Sequence, residues 1–442
     1  MILAVVLFIW PALYNNYPLA TQDTGAYVQN GMRLSLPMID RPFGYILFIM
    51  VTSLGSTMWG IVVAQGLIAA LMVRRLLKLL LGSFYTDPLF LGIVMLTAVF
   101  TSASWFLSQV MPDAFSGLFV IILILLYLER NNNQFRNLYF FCLAMICLMH
   151  YSHLLILFLL LVSALFYYKG FENSTKKIYK YTAILSISCY LLICVLNVVK
   201  FNRFSLSPAS HVFMMARFAE NGILDKYLSE NCPQRNLDLC KYKDQLGERQ
   251  WDFMWNSNVP FPHNRENGWF ESAGEYRTII RDIFTTPRYL GLILIKWVEG
   301  TLRQLCQIQV GDGLEQLGQD SAPYKAVESR IPHELKEYRN SRQVSGQLPF
   351  HAVSWTILIG SLLSFSSALF ARKLPEKANF WNNLICVVIL LVFYNAFIAS
   401  TFSTVIGRLQ SRIFWVLPLI SIVYFILSIK GHKPSDGLNV ET

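Results

Sequence analysis

The chain has 442 residues, of which 54% are hydrophobic, 14% aromatic and only 14% charged, against roughly 25% charged in an ordinary soluble domain. That balance excludes a typical soluble enzyme and describes a polytopic membrane protein. The formal net charge of +10 does not point to nucleic acid, because much of the Lys and Arg lies in loops between apolar segments, where it follows the cytoplasmic leaflet.

At about 20 apolar residues per crossing, the sequence predicts an all-α protein with about ten transmembrane helices, near 1–14, 57–78, 88–105, 114–128, 138–150, 153–168, 181–199, 351–371, 380–402 and 412–430. The first run, Met1 to Leu13, has no basic amino-terminal region and no small-residue cleavage site, so it reads as a retained short helix or a truncated start. The runs at 138–150 and 153–168 are short for a bilayer and predict a helical hairpin tipped by His150-Tyr151-Ser152-His153. Ten crossings put both termini on one side. The loops 73–87, 129–137, 169–180, 372–379 and 430–442 hold fourteen Lys and Arg, and the short segments opposite hold Arg33, Arg41, Arg408 and Arg412, which makes the termini cytoplasmic.

Residues 200–350 then lie outside, since long loops translocate regardless of charge. This predicts a small, mainly helical extracytoplasmic domain between an N-terminal transmembrane module (1–199) and a C-terminal one (351–430), with a cytoplasmic tail at 431–442. Within the domain, Tyr289 to Val310 is amphipathic but interrupted by Lys296, Glu299 and Arg303, which predicts an interfacial helix. Cys142, Cys147, Cys189, Cys194 and Cys386 fall in apolar spans and behave as small hydrophobes. Cys232 and Cys240, in a polar segment of an oxidising compartment, predict a local disulfide.

Candidate chemistry concentrates in the first outer loop, 15–56. Asp23 is followed by Thr24-Gly25-Ala26-Tyr27, and Asp40-Arg41-Pro42-Phe43-Gly44-Tyr45 leads into a second apolar run. An N-cap for residues 24–30 is the plain alternative role for Asp23. The pattern recurs, however: Met111-Pro112-Asp113 stands at the next outer turn and Gly407-Arg408-Leu409-Gln410-Ser411-Arg412 at the last. Carboxylates facing guanidiniums at a bilayer surface are what an enzyme needs to deprotonate an acceptor while gripping a phosphate. His150 and His153, three apart on one helix face, could bind a metal or a phosphate, or could be satisfied by backbone groups at a helix break. Walker, Rossmann, GxSxG and HExxH signatures are missing from the sequence.

An early loop Asp followed by a Tyr, then Arg-Pro-x-Gly-Tyr, an acidic residue in the second outer loop and a late Gly-Arg-x-x-x-Arg before a Pro-containing helix resembles the glycosyltransferase C superfamily. That group includes the protein O-mannosyltransferases and the lipid A aminoarabinose transferase. The resemblance covers residues 1–200 and 350–430 and implies a membrane enzyme that moves a sugar from a polyprenyl-phosphate carrier to an envelope acceptor (glycan, lipid or protein) on the outer face of the bacterial cytoplasmic membrane. It implies Asp23 as general base or acceptor-positioning group, and Asp113 in the same cavity, in some relatives beside a metal, which leaves a divalent ion open as cofactor. Arg408 and Arg412 would hold the lipid phosphate, with Tyr27 and Arg41 lining the substrate site; at the hairpin tip, where related proteins often carry a Lys or Arg, this chain has His150 and His153, which are further candidates for substrate binding. A secondary transporter fits less well, because the charges cluster at one surface and the halves do not match. An O-antigen polymerase or ligase, or a non-catalytic envelope scaffold, remains as a rival reading.

Overall fold

The structure, a computed structural model, describes residues 1–33, 38–132, 134–370 and 378–429. Among these residues it contains helices and no named strand. Five helices are long and apolar enough to cross a membrane: Trp59–Phe84, Asn173–Phe201, Phe350–Leu369, Phe380–Phe402 and Gly407–Ile429. Shorter apolar helices run over Gly44–Ser53, Asp87–Phe100, Pro112–Leu128, Arg136–Met149 and Tyr151–Leu165.

The other five expected crossings are helical but interrupted or short, each for a local reason. The 1–14 run is broken at Ile9 into Ile2–Phe8 and Trp10–Asn15, where Pro11 in the first turn supplies no N–H to continue the ladder. The 88–105 run stops at Phe100, because Thr101 turns extended and the chain restarts as the short helix Ala103–Leu107. Pro112–Phe115 is a 3₁₀ turn leading into Ser116–Leu128. The last two meet at His150, whose extended backbone separates Arg136–Met149 from Tyr151–Leu165. Those two helices double back on each other. The Arg136 guanidinium lies over the Tyr181 ring and Phe140 packs edge-on to it, while the Tyr179 hydroxyl donates to the Leu161 carbonyl, so both far ends of the pair reach the same turn of Asn173–Phe201. A helix of 14 residues is only about 21 Å long, short of a bilayer's hydrocarbon thickness.

The stretch 200–350, expected as one domain, divides in two. Residues between Val212 and Ile293 share a hydrophobic core of their own, with Phe253, Phe261, Tyr276 and Ile279 at its centre. Cys232 and Cys240 are disulfide-bonded within this unit. By contrast, Leu317, Tyr324, Val327, Ile331 and Tyr338 join the main core of the apolar helices, and Val310 and Leu314 pack with Leu19, Trp105 and Ile357. The segment from Val310 onward is therefore a strap over the loop 15–56, and side chains tie it there. Gln343 exchanges two hydrogen bonds with the backbone of Ala20, the Asn15 side chain accepts from Gln343 N–H, and Glu334 accepts from the Tyr17 hydroxyl and from Met58 N–H.

The expected amphipathic helix spans Pro287–Leu305 and ends before Val310. One side packs along Phe380–Phe402 through Trp297 on Phe397 and a Thr301–Ser400 hydroxyl contact of 3.0 Å, with Gln304 donating to the Ile406 carbonyl just beyond. The opposite stripe, Leu294, Ile295, Val298 and Leu302, is exposed.

Gly25 marks a close approach between strap and loop. A Cβ there would lie 2.3 Å from the carbonyl carbon of Ala322, so Gly25→Ala must push the strap helix Ala322–Arg330 away at a cost of about 1–3 kcal/mol. Limited proteolysis is expected to show faster cleavage in 310–349 of this variant than in the parent protein. Equal protection would mean that the strap is not held by this contact.

Candidate functional site

Why the loop 15–56 meets the turn at Met111-Pro112-Asp113 follows from a short backbone pairing. Leu19 N–H donates to the Ser108 carbonyl and Val110 N–H donates to the Leu19 carbonyl, a parallel bridge that ties the entry of that loop to the turn before Pro112. Thr24 adds a hydroxyl bond to the Val110 carbonyl. The helix Gln22–Gly31 starts from Thr21, whose hydroxyl pairs with Thr24 in a capping box. Asp23 lies within the first turn and is not the cap, which corrects the plain alternative for that residue: its carboxylate is left for other partners.

Those partners are arginines from distant parts of the chain. Arg41 Nη2 is 2.6 Å from Asp23 Oδ1 and Arg408 Nη2 is 3.2 Å from Asp23 Oδ2. Arg41 also lies 3.5 Å from Asp40 and over the Tyr27 ring. Arg408 reaches on to Asp113, its Nε 3.3 Å from Oδ2 without the alignment of a hydrogen bond, so both atoms remain unsatisfied. Arg412 Nη1 closes on the other oxygen of Asp113 at 2.6 Å. The result is a continuous row, Asp40–Arg41–Asp23–Arg408–Asp113–Arg412, in which three carboxylates face three guanidiniums.

The row has a mouth and a floor. The side chains of Asp23, Arg41 and Arg408 are 34%, 17% and 18% exposed, whereas Asp113 and Arg412 are 1% and 2% exposed. Burial opposes ionisation of Asp23, but the Arg41 and Arg408 guanidiniums outweigh it and hold the carboxyl below its usual range. Asp40 shows the opposite balance: burial raises it and Arg41 alone does not compensate. Arg412 donates from its two terminal nitrogens to Asp113, to the Ser152 hydroxyl at 3.2 Å and to Asn395 Oδ1 at 3.3 Å, with the His150 ring 3.0 Å away, while its Nε meets no acceptor among the described residues. It anchors the floor and offers no edge to a ligand at the mouth.

The two histidines separate in role. His153 is buried, its Nε2 3.1 Å from the Ser116 hydroxyl, its Nδ1 2.9 Å from the Ile146 carbonyl and its ring stacked on Phe119. Both nitrogens are used in packing, so the i,i+3 spacing does not make a ligand pair. His150 stays at the site, facing Arg412 with one nitrogen and Ser152 with the other. Among the described residues, no three His, Cys, Asp or Glu side chains converge to hold a metal ion. The donor set present is one of ion pairs between Asp and Arg.

Some of the site was not anticipated from sequence. Asp312 of the strap accepts from Arg408 N–H at 3.1 Å and thereby caps the start of the arginine helix Gly407–Phe414. Gly313 beside it has φ +80 and lies against the Arg408 guanidinium, and Gly311 has φ +124. Glycines at positive φ on both sides of an aspartate are a turn signal that the sequence did carry. Ser102 fixes the same helix by donating to the Ser411 carbonyl. The Trp415 indole seats it against Ser116–Leu128 at Gly117, where a Cβ would come within 2.2 Å. A cleft of about 240 Å³ lies elsewhere, lined by Arg217, Glu220, Lys296, Glu299 and Arg303, and shares no residue with the Asp–Arg row. Comparison of the chain with known protein families, with curated proteins and with solved structures finds no match.

Proposed function

We propose that this protein is an integral membrane glycosyltransferase of ten crossings that moves a sugar from a polyprenyl-phosphate carrier to an envelope acceptor on the outer face of the cytoplasmic membrane. The observation that carries this reading is the convergence of Asp23, Arg41 and Arg408 at the mouth of a buried Asp113–Arg412 pair, from loops at the ends of apolar helices. In this reading Asp23, the most exposed carboxylate of the row, accepts the proton of the acceptor hydroxyl. The acceptor oxygen bonds to the anomeric carbon, and the bond from that carbon to the phosphate oxygen breaks with its electron pair going to the phosphate. Arg408, with Arg41 beside it, stabilises that charge. Asp113 and Arg412 position Arg408, and Tyr27 positions Arg41 from beneath. Lipid-linked donors suit the outer face, where sugar nucleotides are not supplied.

Membranes containing the protein and given polyprenyl-phosphate sugars are expected to release polyprenyl phosphate and to label an envelope acceptor. Turnover of diphosphate-linked oligosaccharides alone would assign polymerisation or ligation instead. Turnover of neither would leave a scaffold.

The sidedness has its own test. A thiol introduced as Glu266→Cys, in a Cys306→Ser background because Cys306 is exposed and free, is expected to react in intact cells with a membrane-impermeant maleimide, and Lys177→Cys is expected to react only after lysis. The reverse pattern would turn the protein over and remove the outer-face site.

A further inference from the structure

Arg408 stands between two carboxylates and forms a hydrogen bond to one of them, Asp23. Its contact with Asp23 is 3.2 Å and its Nε approaches Asp113 at 3.3 Å without forming a hydrogen bond. Arg41, in contrast, holds Asp23 at 2.6 Å and has Asp40 as a second partner, and Arg412 is buried with both terminal nitrogens engaged. An incoming anion therefore finds one guanidinium that is partly exposed, loosely held and able to change partners.

We propose that the donor's phosphodiester and the Asp23 carboxylate compete for Arg408, so that donor binding exchanges one negative charge for another and releases Asp23 to act as base. This rests on the glycosyl-transfer reading and adds to it an order of events, donor before deprotonation, and a preference for a monophosphate linkage. The row is balanced, three carboxylates to three guanidiniums, so a single incoming charge that takes the place of one carboxylate leaves Arg408 compensated. A diphosphate would bring a second charge that Arg41, tied to two aspartates, does not meet. The same exchange works in the forward step. When Asp23 takes the acceptor's proton it becomes neutral and weakens its hold on Arg41, just as the departing phosphate gains its second negative charge.

The test uses the full chain in lipid nanodiscs and a polyprenyl methyl phosphate, a diester with one charge at every pH used. Asp23→Asn is expected to bind this probe about tenfold more tightly than the parent protein, because a charge-assisted competitor for Arg408 has gone, and Arg408→Gln is expected to bind it at least as much more weakly. In the parent protein, affinity should rise as pH falls from 7 towards 4. Asp23 is faced by Arg41, Arg408, Asp40, Asp113 and Tyr27 and is normally held ionised, so losing Arg408 to the ligand raises its proton affinity and couples binding to proton uptake. That pH dependence should vanish in Asp23→Asn and persist in Asp40→Asn, since Asp40 contacts Arg41 and not Arg408. The matching polyprenyl methyl diphosphate should bind no more tightly than the monophosphate. Unchanged or weaker binding by folded Asp23→Asn overturns the exchange. So does a flat pH profile in the parent protein, which decides the matter even if the variant does not fold. Failure of the parent protein to bind either probe removes the glycosyl-transfer reading itself, and tenfold tighter diphosphate binding moves the donor to the diphosphate class.

Discussion

Asp23→Asn is expected to lower sugar transfer by about 100-fold or more, the range for removal of a general base, with the protein still folded. Asn has the shape of Asp, and the start of the helix at Gln22 is secured by Thr21 and Thr24 rather than by residue 23. The ion pairs lost with Arg41 and Arg408 are at the partly exposed mouth, where such pairs contribute only about 1 kcal/mol or less. Rate and stability therefore separate. Initial rates in membranes supplied with a polyprenyl-phosphate sugar, alongside thermal unfolding of the purified variant, make the comparison. The pH profile adds a second readout. In the free protein Arg41 and Arg408 keep Asp23 in its base form below the ordinary range, so kcat/KM should hold until the pH falls beneath about 3.9, the unperturbed Asp value. Loss of Arg408 to the donor moves the acid limb of kcat to higher pH. Asp40→Asn should cost less, because Asp40 meets Arg41 at 3.5 Å and no other member of the row. Full activity in Asp23→Asn would falsify the base assignment.

The charged residues of the row were legible in the sequence because they are exceptions: Asp23, Asp113, Arg408 and Arg412 stand in short polar turns between apolar runs, where a charge is costly unless it has a use. Which of them touch was not legible. The Arg412–Asp113 and Arg408–Asp23 pairs join residues 299 and 385 positions apart, and local pattern carries no record of such partners. The strap was missed for a related reason. Composition merges 200–350 into one polar stretch, while packing divides it, sending Tyr324, Val327 and Tyr338 to the main core and leaving Phe253 and Tyr276 in a separate one. Helix type was readable from apolar runs, but interruptions at Ile9, Thr101 and His150 were only partly so. The break at His150 is legible because the apolar runs on either side of it are each short for a bilayer. At Thr101 the helix ends in a backbone turn that shows no strong breaker residue.

The floor of the site predicts the largest effect on stability. Arg412→Met removes the donor that meets Asp113 at 2.6 Å in a place where both side chains are almost wholly buried, and it leaves the carboxylate with the misaligned Arg408 as its remaining guanidinium. Breaking a buried pair from one side costs about 3–5 kcal/mol, because a charge is stranded in a low dielectric. The loss should exceed that of any change at the mouth and appear as a large drop in the unfolding midpoint in detergent. It also releases Ser152, Asn395 and His150, which Arg412 holds together, so the hairpin tip should become more open to hydrogen exchange. Removing the stranded charge tests the cause. In Asp113→Asn with Arg412→Met, both ions are gone and most of the lost stability should return, while transfer stays low because Arg408 has lost its inner support. If the single Arg412→Met variant is as stable as the parent, or the double variant is no more stable than the single one, the buried pair is not what holds the floor together.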